Sequence, residues 1–180
     1  MRKAGLILAA LGLVFLTAAG NLAIRNLAED ARAGAASARA LSVVKKVILD
    51  AEPAQPVDLV WLGRLRIPTL ELELPIFAQW SYENLKTAPC RYCGSPANDD
   101  LVLLAHNYRS HFGPIRRLSP GDEVIFEDLS GTVYAYRIAE VETVSADALA
   151  EVTSGTHALT LITCTYAGKT RVVVFCDILS

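Results

Sequence analysis

Cysteine, histidine and positive charge are all scarce in this chain. Four cysteines in 180 residues, unevenly placed, are too few to hold a disulfide-built miniprotein together. No segment recurs with a period of roughly 20–50 residues, which excludes solenoids and propellers. The net charge is −2, and setting aside Arg2, Lys3 and Arg25 leaves 14 basic residues against 19 acidic ones. No basic stripe interleaves with aromatic side chains, so nucleic acid is not an expected partner.

The 52% hydrophobic content is concentrated at the N-terminus. Ala4 to Ile24 is a run of 21 residues without a charge, bounded by Arg2-Lys3 and Arg25. About 20 apolar residues span a bilayer. The run is therefore expected to be a membrane anchor over residues 1–25, crossing the membrane through residues 4–24. The rival reading is a cleaved signal peptide, whose apolar region is shorter, roughly 7–15 residues. Thr17-Ala18-Ala19-Gly20 would supply its small-residue cleavage site. Arg2 and Lys3 favour a cytoplasmic N-terminus, with the rest of the chain outside. Residues 26–57 read as a helical stalk and linker. Leu27, Ala31, Leu41, Val44, Val47 and Ile48 recur at helix-like intervals. Gly34 weakens the middle, and Pro53 and Pro56 mark the linker.

From residue 58 to 180 the pattern changes to short strands, about seven or eight of them with little helix. That points to a mainly β, closed barrel. Gly63 to Pro68 and Leu70 to Phe77 alternate and are broken by prolines. Leu101-Val102-Leu103-Leu104-Ala105 is a buried-strand candidate with His106 at its exit. Gly121 to Phe126 and Thr132 to Val144 form a hairpin around Ser130-Gly131. Ser145 to Val152 reads as a short helix capped by Ser145.

Cys90-Arg91-Tyr92-Cys93 has the spacing of a redox pair, half a zinc site or a local disulfide. Its flanks read as loop, which speaks against a redox centre. An extracellular setting favours a loop-stapling disulfide, with free thiols or a metal as the alternatives. His111 falls in a loop, so its aim is less well defined than that of a residue ending a core strand. His157 falls in a Ser-Gly-Thr-His turn and is expected to be solvent-exposed. Cys176 lies within a strand and reads as packing.

The stretch that carries chemistry is Leu159-Thr160-Leu161-Ile162-Thr163-Cys164, followed after a polar turn by Arg171-Val172-Val173-Val174-Phe175. Six residues separate Cys164 from Arg171. In a hairpin these two can lie opposite one another, and opposed residues share a face. A thiol then stands beside a permanent cation, which favours the nucleophilic thiolate. A cysteine in an apolar strand is as a rule a small buried hydrophobe. Cys164 differs in lying at a strand end between Thr163 and Thr165.

Leu-Thr-Leu-Ile-Thr-Cys followed by an arginine that opens a valine-rich strand resembles the reactive hairpin of the sortases, cysteine transpeptidases of Gram-positive cell surfaces. Ala105-His106-Asn107, Phe112, Leu118 and Gly121-Asp122-Glu123-Val124 resemble another sortase segment, with Ala105 where that family often has glycine. The resemblance covers about Leu59 to Leu179. It implies an eight-stranded barrel with short helices and no cofactor. By motif, His106, Cys164 and Arg171 are the expected catalytic residues, and Thr163, Thr165 and Asn107 the expected substrate contacts. The implied substrate is a C-terminal sorting signal on a secreted protein, joined to an amine of peptidoglycan or a pilin. Thr-Cys-Thr-Tyr and Arg-Val-Val-Val lean towards class B sortases. The short Val141–Leu159 connection does not fit that class, and class D stays open. No Asp-Pro-aromatic motif precedes the domain, which speaks against class C. Two other readings are a membrane-anchored cysteine peptidase that only hydrolyses, and a non-catalytic surface module holding a metal through Cys90, Cys93 and a histidine.

Overall fold

Alternation of inward and outward side chains along eight strands decides the architecture. The computed structural model describes residues 2–50, 60–154, 156–166 and 168–179. Its strands are β1 (Trp61–Ile67), β2 (Leu72–Phe77), β3 (Cys90–Cys93), β4 (Leu101–Ala105), β5 (Glu123–Asp128), β6 (Val133–Ser145), β7 (Leu159–Cys164) and β8 (Thr170–Ile178). They close into a barrel in the order β1-β2-β3-β4-β7-β8-β6-β5, the expected eight-stranded form. Closure leaves no exposed sheet edge. Inward residues such as Leu65, Ile76, Leu103, Phe126, Leu161 and Val174 fill the interior.

β4 and β7 run parallel. A parallel pair needs a long crossover, and β5, β6 and the short helix α3 (Leu149–Val152) supply it; α2 (Tyr82–Leu85) precedes β3. The helix expected from Ser145 is shorter than its sequence suggested. Ser145 ends β6, paired with Thr170, and α3 starts four residues later. The long ladder between β6 and β8 takes residues that local propensity left free. Val144, Leu149 and Val152 from this crossover pack over the outer face of the barrel, against Val102, Ile162, Val173 and Phe175.

A single helix, α1, runs from Arg2 to Asp50 and passes through Gly34 unbroken. It contains a stretch long and apolar enough to cross a membrane, with mean hydropathy 2.2 over 18 residues. By its contacts the chain divides into Met1–Arg32 and Ala33–Ser180, so the end of α1 belongs with the barrel. Ala33, Ser37 and Val44 are buried at helical spacing. Lys45 of this segment bonds Glu73 of β2 at 2.6 Å. Glu73 in turn bonds Arg64 of β1, which reaches Glu127 of β5. Burial opposes the charge on Glu73, but Lys45 and then Arg64 outweigh it and hold the carboxyl below its usual range. The Pro53–Pro56 linker lies outside the described residues.

Candidate active site

Three neighbouring strands bring the expected residues to one end of the barrel. β7 lies between β4 and β8. The β4–β7 ladder ends with Leu104 beside Ile162 and Ala105 beside Thr163. His106 and Cys164 are the next residues on each chain. Across β7 and β8, Cys164 pairs with Arg171. Adjacent strands lie about 4.8 Å apart, so the backbone positions of His106, Cys164 and Arg171 adjoin where the strands end.

Each is held by its surroundings. Thr163 Oγ1 donates to the Ala105 carbonyl at 2.9 Å, tying β7 to β4 just below His106 and Cys164. The Thr163 hydroxyl is thus engaged within the fold. Thr165 closes the β7–β8 turn through Thr170, backbone and side chain. Gly168, at φ 68°, takes the left-handed conformation this turn requires. Its carbonyl accepts from Arg171 Nη1 at 2.9 Å, and the Thr170 carbonyl does so at 3.1 Å.

The loop after β4 carries His106. Phe112 N–H donates to the His106 carbonyl, and Gly113 N–H to that of Tyr108. Gly113 has no room for a side chain, because a Cβ there would lie 2.5 Å from the Asn107 carbonyl oxygen. The Tyr108 ring packs between His106 and His111, with centroids 5.0 Å and 5.4 Å away. His106 is half-buried. Burial, and then the charge of Lys86, hold its imidazole below the ordinary histidine value.

His111 is wholly buried rather than a loosely aimed loop residue. Phe112 and Ile115, both fully buried, pull the loop into the core and carry His111 with them. His157 is only partly exposed; it bonds Asp177 at 2.8 Å and packs against the Phe175 ring. Cys90 and Cys93 are free thiols. A register shift in β3 separates them, leaving Cys90 buried against Phe77, Leu85 and Ala88 and Cys93 exposed. Burial pushes the Cys90 thiol up to about 11. Cys176 is buried within the core.

Asn107, Gly113, Arg116, Thr163, Cys164, Thr165, Tyr166 and Val172 line a cavity of about 340 Å³. Thr163, Thr165 and Asn107 therefore face the same space as Cys164. Arg116 and Tyr166 were not singled out from the sequence. Tyr166 sits in the turn between Cys164 and Arg171, a visible signal, whereas Arg116 reaches the cavity only through the 3-10 turn Gly113–Arg117.

The sequence profile of the Sortase domain matches residues 65–179. The chain belongs to the sortase family. Sortases are cysteine transpeptidases, and the closed eight-stranded barrel is their fold. Solved sortase structures superpose on it. Sortase C of Streptococcus pneumoniae gives a TM-score of 0.61 at 22% identity, over 67% of each chain. The sortase D5 transpeptidase of Clostridium perfringens gives 0.66 at 16% identity, over 81% of this chain and 99% of that one. Sortase C of the same organism, solved with a cell wall sorting motif, gives 0.61 at 21%, over 78% and 88%. At these identities the likeness speaks for the fold, and the matches span more than one sortase class. No curated protein is significantly similar in sequence.

Proposed function

We propose that this sortase is a membrane-anchored transpeptidase in which Cys164 is the nucleophile, His106 the acid and base, and Arg171 the electrostatic partner. The observation that carries the reading is the register: Cys164 pairs with Arg171 on one flank and follows the rung beside His106 on the other. The Cys164 thiolate attacks the carbonyl of a sorting-signal peptide bond and forms a thioacyl-enzyme. His106 protonates the leaving amine, then takes a proton from the incoming one. Arg171 stays charged and donates to the carbonyl oxygen as negative charge develops there. The Gly168 and Thr170 carbonyls hold its guanidinium for that task.

The substrate in this reading is a secreted protein with a C-terminal sorting signal, and the acceptor an amine of the cell wall or of a pilin. The span within α1 would hold the enzyme in the membrane with its N-terminus in the cytoplasm and its barrel outside.

The test is to incubate the full chain, in detergent, with a peptide library and triglycine, and to sequence the products. Ligated peptides that vanish with Cys164→Ala support transpeptidation. Cleavage with incorporation of neither triglycine nor glycine identifies a hydrolase, and activity that survives Cys164→Ala refutes the thiol as nucleophile.

A further inference from the structure

The cavity beside Cys164 holds a cation that the chemistry above does not use. Arg116 is exposed on the cavity wall. Its guanidinium lies over the Tyr166 ring, 5.0 Å from the centroid. Stacking on an aromatic face fixes the plane of a guanidinium and leaves its N–H donors pointing outward, free for a carboxylate. Among the described residues, neither Arg116 nor Arg171 has a carboxylate within ion-pair distance. The reactive end of the barrel thus has two guanidiniums without an acid to offset them.

Position decides which substrate meets Arg116. His106 and Arg171 flank Cys164 from opposite strands. Neither His106 nor Arg171 lines the cavity; Asn107, next to His106, forms one wall and Thr165, Tyr166 and Val172 another. Arg116 comes from the turn that continues the His106 loop, where Phe112 N–H donates to the His106 carbonyl. It therefore enters the cavity from the His106 loop, and in the transpeptidase reading His106 is where an amine departs and another arrives. A free alkylamine is mostly protonated at neutral pH, its pKa near that of lysine at about 10.4. Two uncompensated guanidiniums repel such an ammonium. A carboxylate on the carbon next to the nitrogen removes that repulsion and gives Arg116 a partner. The departing half of the donor peptide has an amide carbonyl at that position, which offers Arg116 much less. A carboxylate-bearing acceptor would accordingly compete well against back-attack by the departed peptide.

Building on the transpeptidase reading, we propose that Arg116, braced by Tyr166, selects acceptors that carry a carboxylate beside the nucleophilic amine. In that step the neutral amine attacks the thioester carbonyl. A C–N bond forms, the C–S bond breaks, Cys164 recovers its electron pair as thiolate, and the proton leaving nitrogen passes to His106.

The experiment uses the full chain in detergent, charged with a library peptide that acylates Cys164, then offered glycine or glycinamide. The two amines differ in carrying a carboxylate or a neutral carboxamide beside the nitrogen; because that also changes the amine's basicity, each is compared between variants at the same pH and concentration. The readout is the partition of the acyl-enzyme between aminolysis and hydrolysis. Arg116→Gln lowers this ratio about tenfold for glycine, equivalent to about 1.4 kcal/mol, and by less than about twofold for glycinamide. Arg116→Lys recovers part of the glycine ratio, and Tyr166→Leu reproduces the Arg116→Gln pattern more weakly. Equal losses with both amines overturn the proposal. So does a loss seen only in the rate of acylation, which would place the anion on the donor peptide. Failure of the unaltered chain to use glycine overturns it too, and all three results leave the transpeptidase reading intact. If no peptide acylates Cys164, that reading fails first and this one with it.

Discussion

Replacing Thr163 by valine tests whether the β4–β7 rung sets the reactive geometry. Valine matches threonine in shape and removes only the hydroxyl. Thr163 is 3% exposed, and its hydroxyl donates to Ala105 at the last rung before His106 and Cys164. Losing one such bond costs about 1 kcal/mol net, and leaving a buried carbonyl short of a donor raises this towards about 2 kcal/mol. In a domain of this size each kcal/mol moves the melting midpoint by roughly 2–4 °C, so Thr163→Val should lower it by about 3–6 °C. Thr163→Ser keeps the hydroxyl and loses one methyl group, worth about 0.8 kcal/mol. Serine should therefore be the milder change. Scanning fluorimetry measures both variants beside the unaltered chain, and the peptide ligation assay gives kcat. A small misplacement of reacting groups is costly, up to about 100-fold per ångström, so a kcat loss on the order of tenfold is expected for the valine variant. If valine is as stable and active as threonine, or serine is the worse of the two, the bond does not hold the site and the reasoning fails.

Gly113→Ala puts a Cβ 2.5 Å from the Asn107 carbonyl oxygen and 2.6 Å from that of Tyr108, so the His106 loop must shift. The expected cost is about 1–3 kcal/mol with a fall in kcat, read by melting and ligation; a neutral result would mean that the loop yields freely. His106 should titrate below the ordinary histidine value of about 6.5 in an NMR titration, and Lys86→Gln should raise it. Because its folded value is depressed, His106 resists protonation in the fold. Stability should decline as the pH falls from about 6.5 through the folded value, and be unaffected by this group above it. Iodoacetamide at pH 8 should label exposed Cys93 and the accessible Cys164 in the native chain, and reach Cys90 and Cys176 only after unfolding. Mass spectrometry reads the pattern, and a Cys90–Cys93 disulfide in the native protein would contradict it.

The β7–β8 hairpin was legible because its physics is local. Two β-branched runs and a six-residue interval limit the register, and pairing Cys164 with Arg171 follows from a strand period of two. Other features depend on contacts that local patterns do not record. His111 read as a loosely aimed loop residue, yet buried Phe112 and Ile115 draw it inside. His157 read as solvent-exposed, yet Asp177 and Phe175 hold it. Cys90 and Cys93 have disulfide spacing, but a shift in strand register sends one inward and one outward. Ser145 has the chemistry of a helix cap and is instead the last rung of a long ladder.

By itself the sequence determined an apolar run long enough to span a membrane, a chain of short strands, and a thiol that a tight turn can set against an arginine. These rest on composition, on side-chain period and on loop length, all of which act over a few residues. Only the tertiary structure decided what stands on the other side of that thiol. His106 follows a parallel pairing of strands whose rung partners, Ala105 and Thr163, are 58 residues apart. Arg116 reaches the same cavity through a turn folded against the core. Closing a barrel fixes every strand against two neighbours at once, and that global constraint, which no local stretch contains, brings separate residues to one place.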